Sequence, residues 1–422
     1  MSRNLRIFAI ATVVFAMVGL MNDATVMYVL AGVSGAVILV AYLLSQLSLS
    51  RLQVEMQAPA GSSVAGANLR PMVNVHSVGS ITVSSATIEL AAENRTVEGV
   101  EARRRVLLPP LPPGGGLELE VDLRPPTRGR YRVGPPAIID SDPLGMFEGR
   151  SAQGDAVEVV VFPRTYDVPR VASWETGFGR HSTRGQQARR DRGEFRGIRE
   201  HTPGDDLRHV HWKVSAHVGE LAVKEYEPLR HDVISIHVDL HGANHYGKGA
   251  TSTLETAISA AASLARGGLS EQRSVAVMGR NLPPGVGRPG SGQAHMHRIM
   301  VSLAEAQPAD GRFSEALVSQ LRTVPQGASV FIITTAAEEG LVQALSGAMT
   351  GRGSATLLVV EGELAKDGAA APDERFVVQP RLAMESGRAA GIGVGVLRSP
   401  ADIADALTVA TGPSMRAGAG VR

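Results

Sequence analysis

The chain has no cysteine. Disulfides, thiolate metal sites and cysteine nucleophiles are therefore excluded, and the absence suits a reducing compartment. Aromatic residues are also scarce, at 4% of the sequence. No charge of one sign dominates: 42 Lys and Arg stand against 41 Asp and Glu, a formal net charge of +1. A balance this even offers no strong field to nucleic acid or to an acidic partner. What is present in quantity is glycine (47) and proline (24), which signal many turns, and 44% hydrophobic residues, ample for a core. A length of 422 residues predicts two or three domains.

Residues 1–50 read as a transmembrane hairpin. Residues 7–21 are apolar and follow Arg3 and Arg6; a short polar break holding Asp23 leads to a second charge-free run over 26–47. A spanning helix needs about 20 apolar residues, which the second run exceeds and the first approaches. A signal peptide shares the basic start, but a second, longer apolar run directly after the first favours the hairpin. Basic residues flank the pair (Arg3, Arg6, Arg51) and the connecting loop carries only Asp23. The positive-inside rule then places both ends, and residues 51–422, in the cytoplasm of a two-pass cell-membrane protein.

From 51 to 169 the hydrophobic period is two. Residues 117–123, LELEVDL, alternate throughout, and similar short runs occur at 73–76, 81–91, 131–139 and 157–162, separated by Gly and Pro clusters. Short alternating runs with turn signals predict an antiparallel β-sandwich. Asn94-Arg95-Thr96 fits a glycosylation sequon that has no meaning in a cytoplasmic segment. Residues 170–192, with Arg184, Arg189, Arg190 and Arg192, read as a solvated connector.

Strand and helix patterns alternate over 233–410. Strands are expected at 233–240, 275–278, 329–334, 355–360 and 393–397, and helices at 254–269, 295–306, 313–322, 341–349 and 401–409. That alternation predicts a Rossmann-like α/β domain, a parallel sheet with helices on both faces. The small, polar residues 411–422 are expected to be disordered.

Between sandwich and α/β domain, residues 193–232 hold the densest set of specific side chains. The string GEFRGIREHTPGDDLRHVHWKVSAH, followed by GELAVKEYE, resembles the signature of the bacterial domain-of-unknown-function 58 family. The match lies at Gly193, Glu194, Phe195, Arg199, Pro203, Gly204, Asp205, Asp206, Arg208, Trp212, Lys213, Ser215 and Ala216. His201, His211 and His217 depart from the usual aromatic, acidic or amide, and Arg residues. Residues 128–149 are similar to the family's sandwich segment. The resemblance implies a von Willebrand factor A-type α/β domain and partnership with a MoxR-type AAA ATPase and other membrane proteins. The alternating charges suit local ion pairs, Arg199 and Arg208 with Asp205, Asp206 or Glu194, with Trp212 buried beneath them.

Three candidate sites compete with a structural reading. Asp239, at the end of the first α/β strand, resembles the leading aspartate of the von Willebrand A metal motif, with His241 and Ala243 where that motif has serines and Thr334 and Thr335 on a later strand. One carboxylate with His241 and Thr335 falls short of the oxygen ligands Mg²⁺ requires. Gly242, Gly247 and Lys248 fit G-x-x-x-x-G-K, but Gly249 stands where a phosphate-binding loop needs Ser or Thr. Gly285, Gly287 and Gly290 spell G-x-G-x-x-G with Pro289 removing a backbone donor. Eight of twelve histidines fall between 201 and 245, and structural or surface histidines account for them better than a ligand set. The expectation is a membrane-anchored, non-enzymatic adaptor without cofactor, whose partners are a lipid bilayer and an ATPase and do not include nucleic acid. The alternative is an enzyme: a nucleotide hydrolase at Gly242–Lys248 or a metal-dependent hydrolase around Asp239 and the neighbouring histidines.

Overall fold

The computed structural model describes residues 3–22, 24–48, 52–59, 61–79, 82–83, 86–141, 146–168, 194–202, 210–227, 233–336, 339–349, 354–361, 387 and 391–411. The expected connector lies outside these residues, as do Gly193, Pro203, Gly204, Asp205, Asp206, Arg208 and all of the expected tail but Thr411, which is helical. The chain divides into two compact units. The first takes residues 1–164, 248–250 and 300–307, and the second the remainder.

The first unit begins with α1 (Arg3–Asn22) and α2 (Thr25–Ser48), both long and apolar enough to cross a membrane. They pack on each other. Thr12 Oγ1 donates to Ser34 Oγ at 2.8 Å, and the Ser34 hydroxyl donates to the Ala31 carbonyl at 3.0 Å, so the polar groups between the helices are satisfied without water. Large apolar side chains such as Ile10, Val13, Val29, Val33 and Val40 face outward.

Ten short strands follow: β1 (Leu52–Gln57), β2 (Ser63–Val64), β3 (Met72–Ser77), β4 (Ala86–Asn94), β5 (Glu101–Leu107), β6 (Gly116–Glu120), β7 (Gly129–Val133), β8 (Ala137–Ser141), β9 (Glu148–Ala152) and β10 (Val157–Phe162). They form a three-stranded sheet, β1-β3-β6, and a larger one in the order β2-β10-β7-β4-β8-β9, with β5 also paired to β4. All pairings are antiparallel except β2 with β10. Alternate residues of both sheets, among them Val54, Val73, Val75, Ile88, Leu90, Tyr131 and Val161, meet in one core, which is what period-two patterning dictates.

Polar groups fix the corner of this core. Tyr131 is fully buried and its hydroxyl donates to the Thr127 carbonyl four residues earlier (3.0 Å), the tyrosine-corner geometry of sandwich domains. Asn94 is also buried. Its Oδ1 accepts from the Thr96 and Val97 amides, and its Nδ2 donates to Thr127 Oγ1 and the Arg128 carbonyl, so the sequon asparagine is a structural bracket. Gly129 passes beside it with φ +139, where a Cβ would lie 2.6 Å from Asn94 Oδ1. Arg128, 1% exposed, donates Nε to the Leu303 carbonyl (2.7 Å) and Nη2 to the Ala306 carbonyl (2.6 Å) within the same unit. Burial pulls its guanidinium down to about 9, which leaves it charged at neutral pH.

On the outer face of the larger sheet, the buried Glu89 carboxylate accepts from Arg105 Nε (2.5 Å) and Arg150 Nη2 (2.6 Å), with Arg103 at 3.8 Å. The hydrogen bond from Arg105 holds this carboxyl below the usual range, against the opposing effect of desolvation; the charges of Arg105, Arg150 and Arg103 add to the lowering.

The second unit contains a two-stranded antiparallel sheet, β11 (Glu194–Glu200) with β12 (Ala222–Glu227), and the short helix α3 (Trp212–Val218) between them in sequence. Then come β13 (Val233–Val238), α4 (Thr253–Ser270), β14 (Ser274–Met278), α5 (Gly292–Ala304, whose residues from Met300 on belong to the first unit), α6 (Phe313–Leu321), β15 (Ser329–Thr334), α7 (Glu339–Met349), β16 (Ser354–Val360), β17 (Gly393–Leu397) and α8 (Ile403–Thr411). The five strands β13 to β17 form one parallel sheet in the order β14-β13-β15-β16-β17. Near-continuous apolar strands, VISIHV and SVFIIT, are buried along their whole length because helices cover both faces. α4 packs on β13 and β14, and α8 on β17. α6 and α7 pack together on the opposite face, where Leu317, Leu321, Leu341 and Leu345 meet Val233, Val330 and Leu357. The helix expected at 295–306 starts three residues sooner and stops at Ala304.

Candidate functional site

The order β14-β13-β15 reverses direction at β13, so the carboxyl ends of β13 and β15 flank the sheet's topological switch point, where open α/β sheets place ligands. Asp239 stands there and is fully buried. Its Oδ1 accepts from the His241 amide (2.9 Å), and its Oδ2 accepts from Asn244 Nδ2 (2.8 Å) and Thr334 Oγ1 (2.7 Å). Thr335 Oγ1 donates to the Asn244 carbonyl (2.5 Å) and His245 Nε2 bonds the Asp239 carbonyl (2.8 Å). The carboxylate thus ties loop 239–245 to the end of β15.

This arrangement does not fit a hard cation. A Mg²⁺ ion needs lone pairs directed at it, whereas the three groups around Asp239 present hydrogens, and Thr335 is turned to a backbone carbonyl. Among the described residues no group of three or more His, Asp or Glu gathers where one ion could be held.

The loop carrying Gly242, Gly247 and Lys248 also departs from a phosphate cradle. Four of its amides are committed internally: Gly242 to the Ala309 carbonyl, Asn244 to His241, His245 to Gly242 and Tyr246 to Thr253 Oγ1. A phosphate-binding lysine sits at the helix start, but α4 begins only at Thr253, capped by Ser252.

A polar column runs beneath this site. Ser235, His237 and Asp239 alternate onto one face of β13. His237 is fully buried; its Nδ1 donates to Gln320 Oε1 of α6 (3.0 Å), so its Nε2 accepts from Ser235 Oγ (3.0 Å). The spacing is that of a hydroxyl–imidazole–carbonyl relay, but Ser235 is 1% exposed and reaches no substrate. Sequence reasoning missed this pair because an imidazole inside an apolar strand gives no periodic signal.

Desolvation lowers the His237 pKa to about 4, against the smaller opposing effect of its Gln320 bond. The folded value is below the unfolded one, so the ring contributes stability that is complete above about pH 6.5 and is lost as pH falls toward 4. The expected loss is about 3 kcal/mol across that window. Hydrogen exchange of β13 and β15 amides in the solubilised full chain measures it. His237→Gln, which keeps an amide in the column, is expected to flatten the acid slope, and an unchanged slope would assign it elsewhere.

A cleft opens beside Asp239, lined by His241, Arg280, Asp310, Arg312 and Gln320. His241 Nδ1 is buried without a hydrogen-bond partner. Gly311, at φ +104, lets the Arg280 guanidinium lie across its backbone, where a Cβ would collide with it.

The signature residues described here build a small module. Ser215 is its hub: buried, it accepts from the Ala222 amide (2.9 Å) and fastens α3 to β12. His211 Nδ1 accepts from the Val214 amide (3.3 Å) as the cap of α3. An acidic or amide side chain caps a helix in the same way, which explains why histidine is tolerated there. Arg199 donates to the Glu200 carbonyl and Thr202 Oγ1 (both 2.9 Å); of its expected carboxylate partners, Asp205, Asp206 and the Glu194 side chain lie outside what is described. Lys213 is exposed. Trp212 corrects the expectation of burial: it is 65% exposed, with Val218 at 63% and Leu221 at 42%. Two strands and a two-turn helix have too little surface to enclose an indole.

No curated protein matches this chain. Among solved structures, the CARDB domain of the PF1109 protein from Pyrococcus furiosus, in complex with di-metal ions, is 18% identical and covers 26% of this chain and 86% of that one, at a TM-score of 0.19. The alkylpurine DNA glycosylase AlkC from Pseudomonas fluorescens, bound to DNA, is 12% identical over 35% of this chain and 42% of its own, at 0.20. At such TM-scores neither likeness carries an argument. The family model described as "Protein of unknown function DUF58" matches residues 197–366, from the signature through the first four strands of the parallel sheet, in agreement with the resemblance carried by the signature residues.

Proposed function

We propose that this chain is a membrane-anchored, non-enzymatic interaction protein that works with a MoxR-type AAA ATPase, its α/β unit being a von Willebrand A-like domain without a working metal site. The anchor reading is supported by two helices able to span a bilayer, with Arg3 and Arg6 at the start of the first and Arg51 after the second, which favours a cytoplasmic body. The non-enzymatic reading is supported by a switch-point carboxylate whose oxygens already hold three donors of the chain itself. The ATPase enters through the family resemblance.

One observation carries the proposal: Trp212, in the signature itself, is 65% exposed. Exposed Trp is favoured at protein interfaces, where it is among the commonest energetic anchors. The test is direct binding between the full chain in nanodiscs and a purified MoxR-type ATPase from the same genome. Trp212→Ala is expected to weaken binding by roughly 30-fold, the effect of losing about 2 kcal/mol at an anchor. No binding by the unaltered chain, or binding indifferent to Trp212→Ala, would overturn the docking role. Nucleotide turnover by the purified chain that disappears in Lys248→Ala would instead establish the enzyme.

A further inference from the structure

The outer face of the larger β-sheet has an unusual composition at the end nearest α2. Pairing register places Leu107 of β5 opposite Thr87 of β4, Thr87 opposite Ile139 of β8, and Ile139 opposite Arg150 of β9, so these four share one row and one face. In that row Leu107 is 71% exposed and the Arg150 side chain 56%. The next row brings Arg105, 59% exposed, and Arg103 follows at 51%. Glu89 beneath them holds Arg105 and Arg150 in place, and Arg103 pairs with Glu101.

Two observations put this row beside the membrane-spanning helix. The Tyr42 ring of α2 meets Phe147, just before β9, edge-on with centroids 5.5 Å apart. α2 ends at Ser48 and β1 begins at Leu52, a gap the chain spans in at most about 14 Å. Leu52 pairs with Ser77, and the next residue, Val78, is 54% exposed. Exposed Leu and Val at one end, with arginines behind them, match a bilayer interface in which apolar side chains enter and guanidiniums meet phosphates.

We propose that this end of the sandwich rests on the membrane surface, with Leu107 and Val78 in the interface and Arg105 and Arg150 beside acidic lipid headgroups. The inference rests on the membrane-anchor reading. Because the chain has no cysteine, single substitutions Val40→Cys, Leu107→Cys and Glu98→Cys give unique fluorophore sites in the full chain. Glu98 lies in the β4–β5 turn, roughly 25 Å along the strands from the Leu107 row. Each is reconstituted in nanodiscs carrying spin-labelled lipid, with phosphatidylglycerol or with phosphatidylcholine alone.

The expected result is loss of most emission at 40 and 107, little loss at 98, and weaker quenching at 107 when phosphatidylglycerol is absent. Quenching at 40 with none at 107 overturns this inference and leaves the anchor standing. No quenching at 40 overturns the anchor itself, and the inference with it. Equal quenching at 107 in both lipids overturns the role given to the arginines.

Discussion

Asp239→Ala is expected to destabilise the α/β unit by about 4 kcal/mol, the largest single effect foreseen here. The aspartate is fully buried, and its two oxygens accept from three donors, two in its own loop and one at the end of β15: the His241 amide, Asn244 Nδ2 and Thr334 Oγ1. Hydrogen bonds to a charged group contribute roughly 1.5–3 kcal/mol each, and removing the acceptor strands every donor at once. Alanine also unfastens loop 239–245 from β15, so exchange should accelerate first in the loop and in Thr334. Asp239→Asn retains one carbonyl oxygen and should lose about half as much. A structural carboxylate makes the loss the same with Mg²⁺ and with excess chelator. A loss that appears only when Mg²⁺ is present would restore the metal reading.

Arg128→Lys is expected to destabilise the first unit by about 3 kcal/mol, and Arg128→Met by less. The guanidinium uses two donors of a rigid fork on the Leu303 and Ala306 carbonyls. Those carbonyls sit at or just beyond the end of α5, where a helix leaves acceptors unfilled. Lysine keeps a charge in a buried place but offers a single flexible ammonium, which cannot reproduce the fork. Methionine strands the carbonyls too, yet it removes the desolvation that pulls Arg128 down to about 9. Folded and unfolded forms are both protonated below that value, so the ranking should hold unchanged across neutral pH. Hydrogen exchange of β4 and β7 in each variant reads it, and methionine costing more than lysine would show that carbonyl satisfaction outweighs desolvation.

Much of the architecture was legible before any coordinate. Two apolar runs in a chain otherwise interrupted by charge became α1 and α2. Alternation in LELEVDL marked a half-buried strand, and β6 lies there, at an edge of the smaller sheet, with its side chains alternately exposed as far as Glu120. Runs such as VISIHV and SVFIIT lack alternation because both faces are covered, and they became the central parallel strands. Periodicity works at this level because burial acts on every residue of an element, so the pattern is written many times over.

The candidate site was legible only as letters. Asp239 was identified by its place after a strand, but the sequence could not say what its oxygens accept. Its partners come from positions 241, 244 and 334, and the last is brought near solely by β13 pairing with β15. The same limit explains Trp212. A large aromatic in a specific motif suggests burial, yet among the described residues the two strands and short helix around it leave it 65% exposed. His211 was marked as a departure from the family pattern, and its role emerged once its ring was seen to cap α3.

By itself, then, the sequence determined the two long apolar helices, the period-two alternation, the strand–helix succession and the family signature, since each depends on neighbours a few positions apart. Tertiary structure alone decided that Asp239 closes the switch point as a bracket, that His237 is held neutral inside a strand, and that Trp212 faces outward. Those outcomes turn on which distant groups supply hydrogens, desolvation or cover, and such pairings exist only after the sheet has assembled.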